Sequence, residues 1–279
     1  MNAEGVAVVT GAGRGLGRAI ALELAGRGFE VVATLRRPEQ AGDLPGEARA
    51  RGGQLEIAAL DVTRPETIDL PGEMRVLVNN AGVEGPWLPV EEESLEDWRA
   101  IFETNVFGLV EVTRRALPAL RRAGAAGGSV VCNVTSCSLF APMPFFAAYR
   151  ASKAAVSALG ESLCVELAPF GVRVIEVVPG AIDTDMLGGV ADPPEAVRSE
   201  IYGAAAEVVH AHRSPSVAVG TPADAAARAI VDAILDDDAP LRVACDPMGS
   251  GLLDAWRASD DETLQAPMRA LFGGRQDGD

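Results

Sequence analysis

The strongest constraint in this chain is an alternation of short apolar, β-branched runs with longer stretches of helical periodicity. The apolar runs are Val6–Thr10, Glu30–Leu35, 55–60, 75–78, Ser129–Val134, Val172–Val178 and 241–244, and most are apolar throughout rather than at every second position. Strands buried on both faces read this way, whereas antiparallel strands with one wet face alternate. Gly15–Arg27, 95–122, 149–167 and Ala223–Leu235 carry the helical patterns between them. Strands separated by helices build βαβ units on a parallel sheet. The 95–122 helix is expected to bend at Pro118. The 149–167 helix is apolar on more than one side, which suggests packing against a partner subunit. Residues 188–215 are weakly patterned, and the stretch 61–75 holds Pro65, Pro71 and Gly72, so a helix there must be stunted.

Composition removes several classes. The 24 basic residues face 40 acidic ones, a formal charge of −16 that opposes a nucleic-acid backbone. Four cysteines at irregular spacing (Cys132, Cys137, Cys164, Cys245) make neither a disulfide framework nor a zinc module, so a reduced, cytoplasmic protein is expected. His210 and His212 read as solvated surface, and no metal site is expected. No run is long and apolar enough for a membrane span, and the residues before Val6 do not read as a signal segment, so neither membrane insertion nor export is expected. The basic residues are 23 arginines and one lysine, Lys153.

Directly after the first apolar run comes TGAGRGLG, with Gly11, Gly15 and Gly17, and a helix opening near Leu16. Glycines let the backbone approach a pyrophosphate, whose charge the free N–H groups of a helix N-terminus receive. A tight strand-to-helix connection is the plainer alternative; the flanking strand and helix favour a dinucleotide. The spacing G-x-x-x-G-x-G, rather than G-x-G-x-x-G, resembles the first turn of the short-chain dehydrogenase/reductase family. Asp61-Val62 is similar to the family's adenine-contacting pair, with a helix N-cap as the alternative for Asp61. Asn79-Asn80-Ala81-Gly82 resembles its NNAG motif, which implies that this segment braces the sheet and passes close to the adenosine ribose, with Asn79, Ala81 and Gly82 near the cofactor. Pro179-Gly180-Ala181-Ile182-Asp183-Thr184 resembles its PG motif, which places Pro179, Gly180, Ile182 and Thr184 beside the nicotinamide.

The resemblance implies an α/β, doubly wound Rossmann fold with a mainly parallel seven-stranded sheet flanked by helices. It implies one catalytic domain over 1–279, with a substrate-loop region at about 185–215 and a C-terminal tail at about 246–279. An NAD-selective fold places an acid roughly 20 residues after the glycine turn to hold the ribose 2′-hydroxyl. Here Leu35 stands in that place, followed by Arg36 and Arg37, and Arg14 lies inside the turn. Guanidinium groups can bind a 2′-phosphate bidentately, so NADP(H) is the expected cofactor and NAD(H) the alternative.

Tyr149-Arg150-Ala151-Ser152-Lys153 places a phenol and an ammonium one turn apart on one helix face. An adjacent cation favours the phenolate and brings the phenol towards a working range. The chain's single lysine stands four residues after one of only two tyrosines, which makes coincidence a poor explanation. Ser136 lies thirteen residues before Tyr149, at the carboxyl edge of the run Ser129–Val134. Asn105 stands in TNVFG. Taken singly, Ser136 reads as well as a turn residue and Asn105 as a polar group inside a helix. The resemblance makes Tyr149 the general acid/base, Ser136 a hydrogen-bond donor to the substrate oxygen, Lys153 a ribose ligand and Asn105 part of a proton relay reaching Lys153.

Leu139 stands where the family commonly has glycine, and LFAPMPFF, ending at Phe146, puts apolar bulk beside the proposed site. Met186 and Leu187 are candidates to face it, with core or subunit packing as the alternative for all four. A hydrophobic ketone or secondary alcohol is therefore expected, and the C-terminal part resembles the hydroxysteroid and retinol dehydrogenase branch. A homodimer or homotetramer is expected. The competing readings are a non-catalytic dinucleotide-sensing regulator and a reductase of 3-ketoacyl substrates.

Overall fold

The computed structural model of the chain describes residues 1–188 and 192–272. Seven strands form one sheet: β1 (Val6–Thr10), β2 (Glu30–Leu35), β3 (Gln54–Ala59), β4 (Val76–Asn79), β5 (Ser129–Val134), β6 (Val172–Val178) and β9 (Arg242–Ala244). Two short strands, β7 (Ile182–Asp183) and β8 (Thr221–Pro222), pair with each other outside it. The order across the sheet is β3-β2-β1-β4-β5-β6-β9, and every pairing is parallel. The chain winds from β1 to one edge, then restarts at β4 on the other side of β1. Such a restart opens a crevice at the carboxyl ends of the central strands, where open sheets bind ligands.

Helices cover both faces, which is why the central strands are apolar nearly throughout, while edge strand β3 carries Gln54 and Glu56 on an exposed side. On one face, α1 (Gly15–Arg27), α2 (Leu44–Ala50) and α9 (Ala223–Leu235) bury Ile20, Leu24, Leu44 and Ile230 against Ala7, Val9 and Val78. On the other, α4 (Leu109–Ala125) and α5 (Ala147–Leu167) bury Val112, Leu120 and Leu163 against Val8, Leu77 and Val131. Alternate residues of β1 and β4 thus enter opposite cores.

The long helix 95–122 is realised as α3 (Leu95–Phe102) running through a π-helical turn, Glu103–Gly108, into α4. The irregularity therefore falls at Asn105, while Pro118 sits within α4. Between β3 and β4 stands only a 3₁₀ turn, Pro65–Thr67, so the crossover is as short as its prolines require. The weakly patterned stretch after 188 contains a helix. Following the single turn α6 (Asp185–Gly188), α7 (Gly203–Arg213) buries only Ala206 and Val209, and its other apolar residues, mostly alanine, mark no single face. α8 (Pro215–Ala218), α10 (Pro247–Ala258) and α11 (Asp261–Phe272) complete the described chain. Residues 189–191 of the expected substrate loop and 273–279 of the expected tail lie outside the described residues. Among the described residues no helix is long and apolar enough to cross a membrane, and no cluster of His, Cys, Asp and Glu could hold a metal.

Candidate active site

The carboxyl ends of β1 and β4 are fastened to each other. Thr10 Oγ1 accepts from the backbone N–H groups of Asn80 (3.0 Å) and Ala81 (3.1 Å). Asn80 Nδ2 donates back to the carbonyls of Thr10 (3.0 Å) and Gly11 (3.2 Å). This contact explains the glycines. Gly11 has φ +66°, and a Cβ there would stand 2.9 Å from Ala81 Cα; at Gly17 it would stand 2.2 Å from Asn80 Nδ2. Thr10 and Asn80 are the clamp that sequence reasoning left unassigned, although a hydroxyl just before a glycine turn is a usable signal.

The cradle fits a dinucleotide phosphate. α1 opens at Gly15 with Arg14 at its N-cap, which makes no capping side-chain bond, and the first turn holds no acid, so its N–H groups lack a side-chain acceptor. Across the crevice, the Thr184 side chain lies 3.4 Å from where a Cβ on Gly15 would stand. Leu16 faces inward and packs on the core. Leu35 is buried, its Cδ2 2.6 Å from the place of a Gly13 Cβ, so the end of β2 offers no carboxylate beneath the turn. Arg36 and Arg37 are exposed, and Arg14 reaches Asp185 at 3.3 Å on the surface.

Three expected cofactor residues are placed in structural contacts. Asp61 Oδ1 accepts from the backbone N–H (3.0 Å) and hydroxyl (2.8 Å) of Thr63, a local turn close to the N-cap alternative. Val62 is buried against Gly108. Asn79 is buried inside the sheet, its Nδ2 donating to Thr113 Oγ1 (3.0 Å) and Asn133 Oδ1 (2.9 Å), so it braces strands rather than lining the crevice. Gly82 does line it: a Cβ there would stand 3.3 Å from Asn105 Oδ1 and 3.5 Å from Lys153 Nζ.

α5 carries Tyr149 and Lys153 on one face, with Lys153 Nζ 5.6 Å from the phenol ring centroid and donating to Val134 O at 2.9 Å. Burial lowers the Lys153 ammonium to about 8, against the upward pull of Glu84 and Glu176. Tyr149 moves the other way from the sequence expectation. Its burial, followed by the Glu84 carboxylate, pushes the phenol well above its ordinary value, while a hydrogen bond with Ser136 acts downwards. Desolvation penalises both charged forms, and in the protein alone it outweighs the field of a single cation.

The π-helical turn aims Asn105 inward. Its Oδ1 accepts from Val83 N (2.8 Å), and its Nδ2 donates to Val83 O (2.9 Å) and to Ser152 Oγ (2.9 Å), which itself donates to Tyr149 O (2.7 Å). Asn105 therefore ties the loop after Gly82 to the helix that carries Tyr149. Asn105→Ala strands both Val83 groups and should destabilise the fold by about 2–4 kcal/mol, read as a lower urea midpoint; an unchanged midpoint would refute this role. Nearby, the PG segment is held by Cys137 N donating to Pro179 O (2.8 Å) and by Gly180 N donating to Asp246 Oδ1 (2.7 Å). Ile182 is buried in β7, and Thr184 Oγ1 donates to Ile182 O at 3.3 Å.

Of the four apolar candidates, Phe146 lies against Tyr149. Its ring lies 4.5 Å from that of Tyr149 and 3.9 Å from that of Trp87, centroid to centroid. Leu139 packs with Phe140, Val178 and Leu253, Leu187 lies against Gly220, and Met186 is exposed. The stack continues outward, with the Arg213 guanidinium 3.5 Å from the Trp87 centroid. Trp87 also donates to Glu84, whose carboxyl burial pushes above the usual range and Arg213 and Lys153 pull back down. Glu84, Trp87, Phe145, His210 and Arg213 line a cavity of about 250 Å³. His210 is therefore part of a cavity wall, while His212 is exposed. Among the described residues, Trp87 (φ 59°) and Phe145 (φ 63°) are the non-glycine positions with left-handed backbone, a conformation costing about 1–2 kcal/mol each.

Comparison with known proteins places this geometry. A family model described as short chain dehydrogenase matches residues 5–194. An uncharacterized oxidoreductase, YusZ, of Bacillus subtilis (strain 168) is 38% identical over 190 residues, which are 65% of this chain and 66% of that relative's length. A short-chain dehydrogenase from Burkholderia cenocepacia J2315, solved in complex with NADP, is similar with a TM-score of 0.74 and 29% identity over 96% of this chain and 99% of that one. A short-chain dehydrogenase/reductase from Burkholderia phymatum, solved in complex with NAD, is similar with a TM-score of 0.75 and 25% identity, covering 96% of each chain.

Proposed function

The chain belongs to the short-chain dehydrogenase/reductase family, and from that membership we propose that it catalyses reversible, NADP(H)-dependent hydride transfer between nicotinamide and a carbonyl or secondary alcohol of a hydrophobic substrate. The observation that carries the reading is the meeting of Tyr149, Ser136 and Lys153, from α5 and the end of β5, at one crevice. When bound, a nicotinamide cofactor would supply the hydride chemistry at the carbonyl or carbinol carbon. Tyr149 gives its hydroxyl proton to the carbonyl oxygen in reduction, and removes the hydroxyl proton in oxidation. Ser136 donates a hydrogen bond to the same oxygen. Lys153 holds the nicotinamide ribose, and Asn105 keeps the loop bearing Gly82 against α5, with a place in the proton path to Lys153.

The N–H groups of Gly15, Leu16 and Gly17 would hold the pyrophosphate, and Pro179, Gly180, Ile182 and Thr184 would border the nicotinamide. Arg36, with Arg14, would take the 2′-phosphate. The missing acid at Leu35 and the exposed guanidinium of Arg36 support NADP(H) over NAD(H). kcat/KM with NADPH is expected to exceed that with NADH by at least about tenfold, and equal values would overturn the preference. A panel of aliphatic, aryl, steroid, retinoid and β-ketoacyl carbonyls, followed by NADPH absorbance, tests the reaction itself; NADPH binding without turnover of any would sink it. Free cysteines support a reducing, cytoplasmic setting. Exposed Phe107, Val165 and Phe170 support a homodimer or homotetramer, which a monomer in light scattering would overturn.

A further inference from the structure

Resting on the hydride-transfer reading above, we propose that Glu176 is a positioning residue for that reaction, a buried carboxylate that ties the end of β5 to α5 and supplies negative charge behind the Lys153 ammonium.

Its place in the sequence is unusual. β6 reads VRVIEVV, and Glu176 is its one acid, set among Ile175, Val177 and Val178 and only 1% exposed. A parallel strand covered on both faces calls for an apolar residue there, whereas a carboxylate must be stripped of water. Its cation is Arg242, which stands opposite it in the β6–β9 register. Replacing such a buried ion pair with apolar residues of similar volume is often neutral or stabilising. Fold stability therefore gives no reason for the acid at this position.

The hydrogen bonds of Glu176 join the two elements that carry the reacting groups. Oε1 accepts from Thr135 Oγ1 at 3.0 Å, and Oε2 accepts from Ser157 Oγ at 2.9 Å and from Arg242 Nε at 3.1 Å. Thr135 stands between Val134, whose carbonyl accepts from Lys153 Nζ, and Ser136. Ser157 stands one turn of α5 beyond Lys153, which itself follows Tyr149 by one turn. One carboxylate thus holds the strand end bearing Ser136 against the helix bearing the phenol and the ammonium.

Charge is its second contribution. Among the described residues, the ionisable groups that face Lys153 are Tyr149 on α5, Glu84 from the loop after β4 and Glu176 from β6; both carboxylates favour the ammonium, against burial. Around Glu176 stand Arg242 from β9 and, on α5, Lys153 and Glu161, the last sharing Arg242. Glu176 acts on the lysine through space, from an interior where charge is screened far less than in water.

The test uses the full chain and its single lysine. Incorporated ε-¹³C lysine gives one side-chain signal, whose pH titration reads Lys153 directly and without turnover. In the parent it is expected to titrate at about 8. Glu176→Gln keeps the size and one acceptor oxygen, and should lower that midpoint by at least about half a pH unit, because losing a facing opposite charge favours the neutral amine. The alkaline limb of kcat/KM with NADPH, for a carbonyl that the parent turns over, should move down by the same amount. Glu176→Gln/Arg242→Gln replaces the ion pair with two neutral amides and should lower the midpoint too, since of that pair Glu176 is the one that acts on Lys153. An unmoved lysine midpoint in a folded variant, or failure of both variants to fold, would make Glu176 a structural brace and overturn the proposal, with the hydride-transfer reading untouched. A moved midpoint with an unmoved kcat/KM profile would overturn its part in the reaction. NADPH binding by the parent without turnover of any carbonyl would overturn the hydride-transfer reading, and the role of Glu176 in it, whatever the lysine midpoint.

Discussion

Tyr149→Phe should lower kcat by about a thousandfold while the protein folds as before, the scale at which a positioned general acid/base contributes. The substitution removes one hydroxyl and keeps the ring that packs 4.5 Å from Phe146, so circular dichroism and the thermal midpoint should barely move. What disappears is the proton donor beside Ser136. Burial and the Glu84 carboxylate keep the proton on Tyr149 far above neutral pH, so in the protein alone the phenol stands ready as the acid that reduction requires. Oxidation asks for the opposite charge state, and so depends on whatever further positive charge the bound cofactor brings to the crevice. A Tyr149→Phe enzyme within tenfold of the parent would remove Tyr149 from the acid/base role.

Lys153 should separate function from stability. Lys153 is 6% exposed, and its ammonium donates to Val134 O at 2.9 Å. Lys153→Arg keeps the charge yet should cut kcat/KM by at least about a hundredfold, because the wider fork overpacks the site and misplaces its donors. Lys153→Met should also lose turnover but gain stability at pH 7. Burial lowers the ammonium from 10.5 to about 8, so between those values the unfolded chain binds more protons than the folded one. Stability therefore rises with pH across that window, and below about 8 the folded protein carries the full cost of the buried charge, on the order of 3 kcal/mol before the lost hydrogen bond is subtracted. The thermal midpoint of Lys153→Met should exceed the parent's at pH 7 and the gain should shrink towards pH 10. A variant less stable than the parent at pH 7 would refute the burial cost. Activity here opposes stability, as it commonly does where a charge is buried for use.

Much of the fold was legible because its signals are local. Glu30–Leu35, Ser129–Val134, Val172–Val178 and Ala223–Leu235 coincide with elements of the structure, since runs apolar on both faces, or periodic at 3.6 residues, need no partner to be recognised. α2 escaped notice although Asp43 accepts from Gly46 N and a proline stands in the first turn, both ordinary start signals. α7 escaped for a different reason, as two buried residues in eleven form no stripe.

The site was legible in part. Tyr149 and Lys153 meet because four residues make about one helical turn, and Gly11 and Gly17 are glycines because β1 and β4 end against each other. Asn79 shows the limit: a bracing role was expected of its motif, but only the packing of β4 between β1 and β5 names Thr113 and Asn133 as the partners of its amide.

By itself, then, the sequence determined the parallel sheet, the glycine-rich strand-to-helix turn and the pairing of phenol with ammonium, all consequences of backbone periodicity over a few residues. Tertiary structure alone decided that Glu84, Trp87 and Arg213 meet beside Tyr149, that Asn105 spends its amide on Val83 and Ser152, and that the phenol's proton is held more tightly instead of released. The reason is physical. Contacts between residues tens of positions or more apart follow from how layers pack, and the cost of a buried charge depends on every group that excludes water from it.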